Sequence, residues 1–170
     1  MKKIPNIIFL DVDGVLNCQL FYKEQQEKGT KRTKENWNES QIDEKRIQML
    51  NDVCESSNAV VVISASMRKN HSLEELQQIF KNVGASFKII SKTDITGYER
   101  GTEISKWIKE NISKEKHGIY YYDYKNYVII DDDSDMLLNQ GQHFFQTDNY
   151  SGLTPTTCYK IKNFFEQCKI

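Results

Sequence analysis

The stretch that decides the fold is Ile7-Ile8-Phe9-Leu10-Asp11-Val12-Asp13-Gly14-Val15-Leu16-Asn17. The apolar run Ile7–Leu10 suits a buried strand and ends abruptly on an acid. Asp11 and Asp13 lie two apart, so along an extended chain their side chains point to one side. Gly14 then permits a sharp turn. Acids at the end of a strand in an open α/β sheet face the ligand crevice. Two carboxylates beside apolar flanks are costly to bury unless a cation or a partner compensates them. The alternative is an exposed strand end with solvated acids, and this stretch alone leaves that open.

Working outward, the pattern recurs. Val128-Ile129-Ile130 runs into Asp131, Asp132, Asp133 and then Asp135. An acidic turn is also an ordinary helix N-cap, and Asp133 or Ser134 could be only that. If the two strands are neighbours, however, at least three carboxylates share one crevice. Hard oxygen ligands of this kind suit Mg²⁺. Between the two acidic ends, Ala59–Ile63 (AVVVI) is a second buried strand followed by Ser64, Ala65, Ser66, Met67 and Arg68. A hydroxyl and backbone amides at a strand end can hold a phosphate oxygen, although serines there are common. Arg100, in Glu99-Arg100-Gly101-Thr102 at a helix start, is either a solvated side chain or the positive charge that balances acids and phosphate.

Strands and helices alternate along the rest of the chain. Further strands are expected at Phe87–Ile90, at Tyr127–Ile130 and, weakly, at His143–Gln146. Helices are expected over Asp43–Cys54 (Ile47, Leu50, Val53 and Cys54 on one face), from a Ser72/Glu75 capping box to Asn82, over Thr102–Ile112, and over Thr156–Gln167 with Tyr159, Ile161, Phe164 and Phe165 apolar. Continuous apolar strands want both faces covered. The expected fold is therefore α/β, a Rossmann-like three-layer sandwich around a mostly parallel five-stranded sheet. Residues 1–170 read as a single domain. Within it, 18–42 is a polar excursion above the sheet carrying Lys23, Lys28, Lys31, Arg32 and Lys34. The segment Ile119–Tyr127 (IYYYDYKNY) is either a loop or an extension of the fourth strand.

Composition bounds the function classes. The 170 residues are 38% hydrophobic and 28% charged, with 2 prolines and 8 glycines, which excludes disordered and collagenous chains. A net charge of −1 argues against a dedicated polyanion-coating protein while leaving room for a local basic patch. No apolar run approaches the roughly 20 residues needed to span a bilayer, and the start is not a secretion signal. The four cysteines form no CxxC pair, so reduced thiols, a cytoplasmic location and no zinc site are expected. A monomer is expected.

In this order, DVDGV at Asp11–Val15, Ser64, Arg100 and Asp131-Asp132 resemble the motifs of the haloacid dehalogenase-like (HAD) hydrolase superfamily. At finer grain, FLDVDGVLN, SASMR, RGTEI, IIDDDSDM and QTDNYSGLT are similar to the small HAD domains of RNA-repair proteins, relatives of the phosphatase halves of polynucleotide kinase-phosphatases. Met67 stands where those domains usually carry an aromatic residue. The resemblance implies that Asp11 attacks phosphorus to form an aspartyl-phosphate. A carboxylate with a reference pKa of about 4 needs no base for this at pH 7. It further implies that Asp13 is the general acid and base, that Ser64 and Arg100 hold phosphoryl oxygens, and that Mg²⁺ sits on Asp11, Asp13 (through its carbonyl), Asp131 and Asp132, with Asp135 secondary. Further substrate-binding candidates are Gly14, Ala65 and Arg68 at the strand ends and Lys31 and Arg32 on the excursion.

About 25 residues between Asn17 and Asp43 are too few for an independent folded cap, so the cap is minimal. An open crevice suits a large phosphorylated substrate such as an RNA or DNA end, and Trp37 and Tyr120–Tyr122 are candidates for stacking on bases. A phosphatase of small metabolites or nucleotides, and a catalytically idle HAD-like binding domain, are the competing readings.

Overall fold

The apolar run at Ile7–Leu10 becomes the middle strand of the molecule. The computed structural model describes residues 4–168. Strands β1 (Asn6–Leu10), β2 (Ala59–Ile63), β3 (Ile89–Lys92), β4 (Tyr127–Asp131) and β5 (Phe144–Gln146) form one sheet in the order β3-β2-β1-β4-β5. Every neighbouring pair is parallel. Parallel neighbours need long crossovers, and the helices supply them. These are α1 (Gln19–Glu27), α2 (Glu44–Ser57), α3 (Leu73–Asn82), α4 (Arg100–Asn111), the one-turn α5 (Lys114–His117) and α6 (Pro155–Gln167). This is the expected three-layer α/β sandwich.

The period-two alternation of the strands divides the core. Ile8, Leu10, Val61, Ile63, Val128 and Ile130 belong to one buried cluster with the apolar faces of α2, α3 and α6. Ile7, Phe9, Val62, Tyr127 and Ile129 belong to the other, with Ile104, Trp107 and Ile108 of α4. Phe9 meets Trp107 edge-on, with ring centroids 5.4 Å apart. Continuing the alternation, Asp11 follows Phe9 and Asp131 follows Ile129 towards the face that α4 covers.

Several sequence expectations need correction. The third strand begins two residues later than Phe87, whose ring packs under the sheet against Phe80 with centroids 6.1 Å apart. Its apolar character serves the core rather than the ladder. His143 precedes β5 and stacks face to face on Tyr127, with centroids 4.0 Å apart. The polar excursion 18–42 contains α1, with only Phe21 fully inward. No helix follows Asp133 and Ser134 directly; the chain stays irregular until a 3₁₀ turn at Leu138–His143. Tyr159 is on the solvent side of α6, 66% exposed, while Ile161 and Phe165 are buried. The tyrosine-rich segment is a loop with one 3₁₀ turn at Tyr121–Asp123. No helix among the described residues is long and apolar enough to cross a membrane.

Candidate active site

The chain builds β1, β2 and β3 outward in one direction, then returns to place β4 on the other side of β1. The loops leaving β1 and β4 therefore diverge, and a crevice opens at their carboxyl ends. Both acidic runs arrive there. Asp11 continues the ladder, its N–H donating to the Ile130 carbonyl at 3.0 Å. One carboxylate oxygen each from Asp11, Asp131 and Asp132 falls within 4.8 Å of the others. Asp11 and Asp131 are buried and Asp132 partly so.

Arg100, in the first turn of α4, lies between two of these acids. Its Nη1 is 3.4 Å from Asp11 Oδ1 and its Nε is 3.6 Å from Asp131 Oδ2. Asp135, expected as a secondary ligand, is turned to another task. Its Oδ2 accepts the Arg100 N–H at 2.9 Å, and its carbonyl accepts the Gly101 N–H at 3.2 Å. Glu99 makes no side-chain cap, so an acid from the β4 loop caps α4 instead. Gln140 adds a second tie, donating from Nε2 to the Gly101 carbonyl at 2.9 Å.

The electrostatics are unbalanced. Three clustered carboxylates face one guanidinium, an excess of two negative charges when all are ionised. Burial, and next the Asp131 charge, push the Asp11 carboxyl up to about 7, against the pull of Arg100. Burial likewise pushes Asp131 up to about 6, again against Arg100. Asp131 Oδ2 is buried without a hydrogen bond. A divalent cation with hard-ligand preference supplies the missing charge and fills the open coordination of that oxygen, so the donor set fits Mg²⁺.

The other candidates are placed as follows. Ser64 continues β2; its N–H donates to the Leu10 carbonyl at 2.9 Å and its buried Oγ has no hydrogen-bond partner. A buried unpartnered hydroxyl is costly unless a ligand completes it. The Asp13 carboxylate is outside the acidic cluster, exposed on the turn, with Oδ1 accepting from Asn17 Nδ2 at 2.9 Å. Gly14 has φ of +69°, and a Cβ there would lie 2.2 Å from the Asp132 carboxylate, so close approach is its role. Ala65 is buried, its carbonyl accepting from Arg68 Nη1 at 2.9 Å.

Arg68 does not reach into the crevice. Its guanidinium donates to the carbonyls of Ser64, Ala65, Thr93 and Asp94 and pairs with Glu103 of α4. Those contacts engage all three guanidinium nitrogens, so Arg68 braces the Ser64 loop instead of offering itself to substrate. Lys31 and Arg32 are exposed on the excursion, and the Arg32 guanidinium lies over the Tyr22 ring at 4.9 Å. Trp37 is exposed on the same segment. Tyr120–Tyr122 precede β4 and so lie beyond the amino end of that strand. Roughly 13 Å of extended chain then separates Tyr127 from Asp131, so the tyrosines do not line the crevice.

Sequence reasoning missed three residues here. Thr93, directly after β3, is buried with an unpartnered Oγ1, the same signal as Ser64 but hidden by the misplaced strand. Glu103 reads as a surface acid until its partner is seen across 35 residues. Asn17, 2% exposed, reads as a turn residue until its partners at Asp13 and Gln41 are seen.

The family model described as the HAD domain in Swiss Army Knife RNA repair proteins matches residues 7–158. No curated protein and no solved structure gives a significant match.

Proposed function

The chain belongs to the family of HAD domains in Swiss Army Knife RNA repair proteins, a domain of hydrolase type, and from this premise we propose that it is a Mg²⁺-dependent phosphomonoesterase working through Asp11 on phosphorylated nucleic-acid ends. The observation that carries the reading is the convergence of Asp11, Asp131 and Asp132, with Arg100 paired to the first two and the orphaned Ser64 hydroxyl directly after the adjoining strand.

In this mechanism Asp11 attacks phosphorus. The bond to the leaving oxygen breaks as the Asp11–phosphorus bond forms. Asp13 passes a proton to the departing oxygen. It then takes one from the water that cleaves the aspartyl-phosphate and regenerates Asp11. Ser64 and Arg100 hold the phosphoryl oxygens as charge builds on them. Asp11, Asp131, Asp132 and the Asp13 carbonyl would hold Mg²⁺, which would offset the repulsion between the two anions. The 18–42 segment acts as a flap of the single domain in place of a folded cap. Its run from Lys28 to Lys34 holds Lys28, Lys31, Arg32 and Lys34 with no acid, a stretch suited to flanking phosphates.

The test is hydrolysis of p-nitrophenyl phosphate with Mg²⁺ and its loss with EDTA. Asp11→Asn should reduce turnover by at least about 100-fold while keeping the fold, a general magnitude for a lost catalytic group. An Asp11→Asn variant that retains full activity overturns the assignment. An oligonucleotide 3′-phosphate should be used better than the matching mononucleotide; the reverse order favours a small-metabolite phosphatase.

A further inference from the structure

Asp13 is exposed on a turn, yet the reaction needs its carboxyl at one place. Asn17 fixes it. The Gly14 N–H donates to Asn17 Oδ1 at 3.0 Å, and a backbone N–H can only donate, so the amide has a single orientation. Asn17 Nδ2 then donates to Asp13 Oδ1 at 2.9 Å and to the Gln41 carbonyl at 3.0 Å. Asn17 is 2% exposed, so the amide side of these contacts is held inside the protein.

The Gln41 contact reaches the far end of the flap. Gln41 closes the 3₁₀ turn Glu39–Gln41, and its Oε1 accepts the Tyr22 hydroxyl at 3.2 Å. Tyr22 belongs to α1 at the flap's near end and carries the Arg32 guanidinium over its ring at 4.9 Å. A continuous series of contacts thus runs from Arg32 through Tyr22, Gln41 and Asn17 to Asp13. We propose that Asn17 is a positioning residue that aims Asp13 at the leaving oxygen and clasps the catalytic turn to the flap. A substrate phosphate at Arg32 and the acid at the scissile bond are then built on one frame with a fixed spacing. Such preorganisation is what makes a general acid effective.

The inference rests on the phosphatase reading, and leaving-group chemistry separates the two. A p-nitrophenolate departs without a proton, whereas a nucleoside 3′-monophosphate releases an alkoxide that needs one. Wild type, Asn17→Ala and Asn17→Asp should be compared by kcat/KM on both esters. The loss on the nucleotide should exceed the loss on the aryl ester by about tenfold or more, a fraction of what general acids supply. Asn17→Asp keeps the shape but sets an acceptor against Asp13, so it tests the claim even if the alanine variant fails to fold. Equal losses on both esters, or no loss, overturn the positioning role while leaving the phosphatase reading standing. A wild type that hydrolyses neither ester overturns both.

Discussion

At the scale of single residues, the buried Asp11 and Asp131 carboxyls share one guanidinium, and this sets a pH dependence of known sign. A carboxyl whose folded pKa is raised makes the folded state bind more protons than the unfolded state. Its favourable contribution is full below the unfolded value near 4 and is lost as pH rises through about 7 for Asp11 and about 6 for Asp131. In EDTA, the melting temperature should therefore fall between pH 5 and pH 7.5, and Asp11→Asn should flatten that fall. Buried His143, whose pKa is lowered by burial, opposes the trend by losing stability as pH drops. It is unchanged in the variant, so the difference between the two proteins isolates Asp11. Mg²⁺ should raise the melting temperature more at pH 7.5 than at pH 5, because deprotonated ligands bind it. A metal-free profile identical in the two proteins refutes this account.

At the scale of elements, the Arg68–Glu103 pair locks the loop after β2 to α4, both side chains at most 5% exposed. Removing one partner of a buried pair strands the other charge, typically at roughly 3–5 kcal/mol. Glu103→Ala should destabilise by about that much in urea unfolding, and Arg68→Lys should not substitute, since lysine lacks the planar fork. A loss below about 1 kcal/mol would show that Arg68 finds water instead. The elements also show which features could be read from the chain. The centre of the sheet and α3, with its Ser72/Glu75 capping box, carry their signals locally. α1 does not, because a helix with one buried residue has almost no apolar stripe. The first-turn cap of α4 comes from Asp135, 35 residues away, and Arg68 looked like a ligand for phosphate only because it follows Ser64. The acids of the site were readable because strand ends announce them. Arg100 was readable as their counter-charge; the Arg68–Glu103 pair and the Asp135 cap were not, because those contacts depend on which segments the strand order brings together.

At the scale of the whole molecule, the net charge of −1 conceals an acid-free cationic stretch, Lys28–Lys34, and the carboxylate cluster of Asp11, Asp131 and Asp132. Replacing Lys31 and Arg32 by glutamine should lower kcat/KM for an oligonucleotide 3′-phosphate more than for the aryl ester. It should also make the dependence on log salt shallower by roughly one, as expected for removing one or two contacts to single strands. An unchanged salt slope would make the flap tip a bystander. The sheet order has a last consequence, for how the molecule comes into being. Its innermost strand is the first to be synthesised, yet one flank of that strand stays bare until Tyr127–Asp131 has emerged. Pairing across so long a separation is slow and leaves an apolar ribbon uncovered meanwhile. During translation, then, the half-made chain carries its greatest risk of sticking to its neighbours, and that risk ends with the arrival of the same strand that completes the carboxylate cluster.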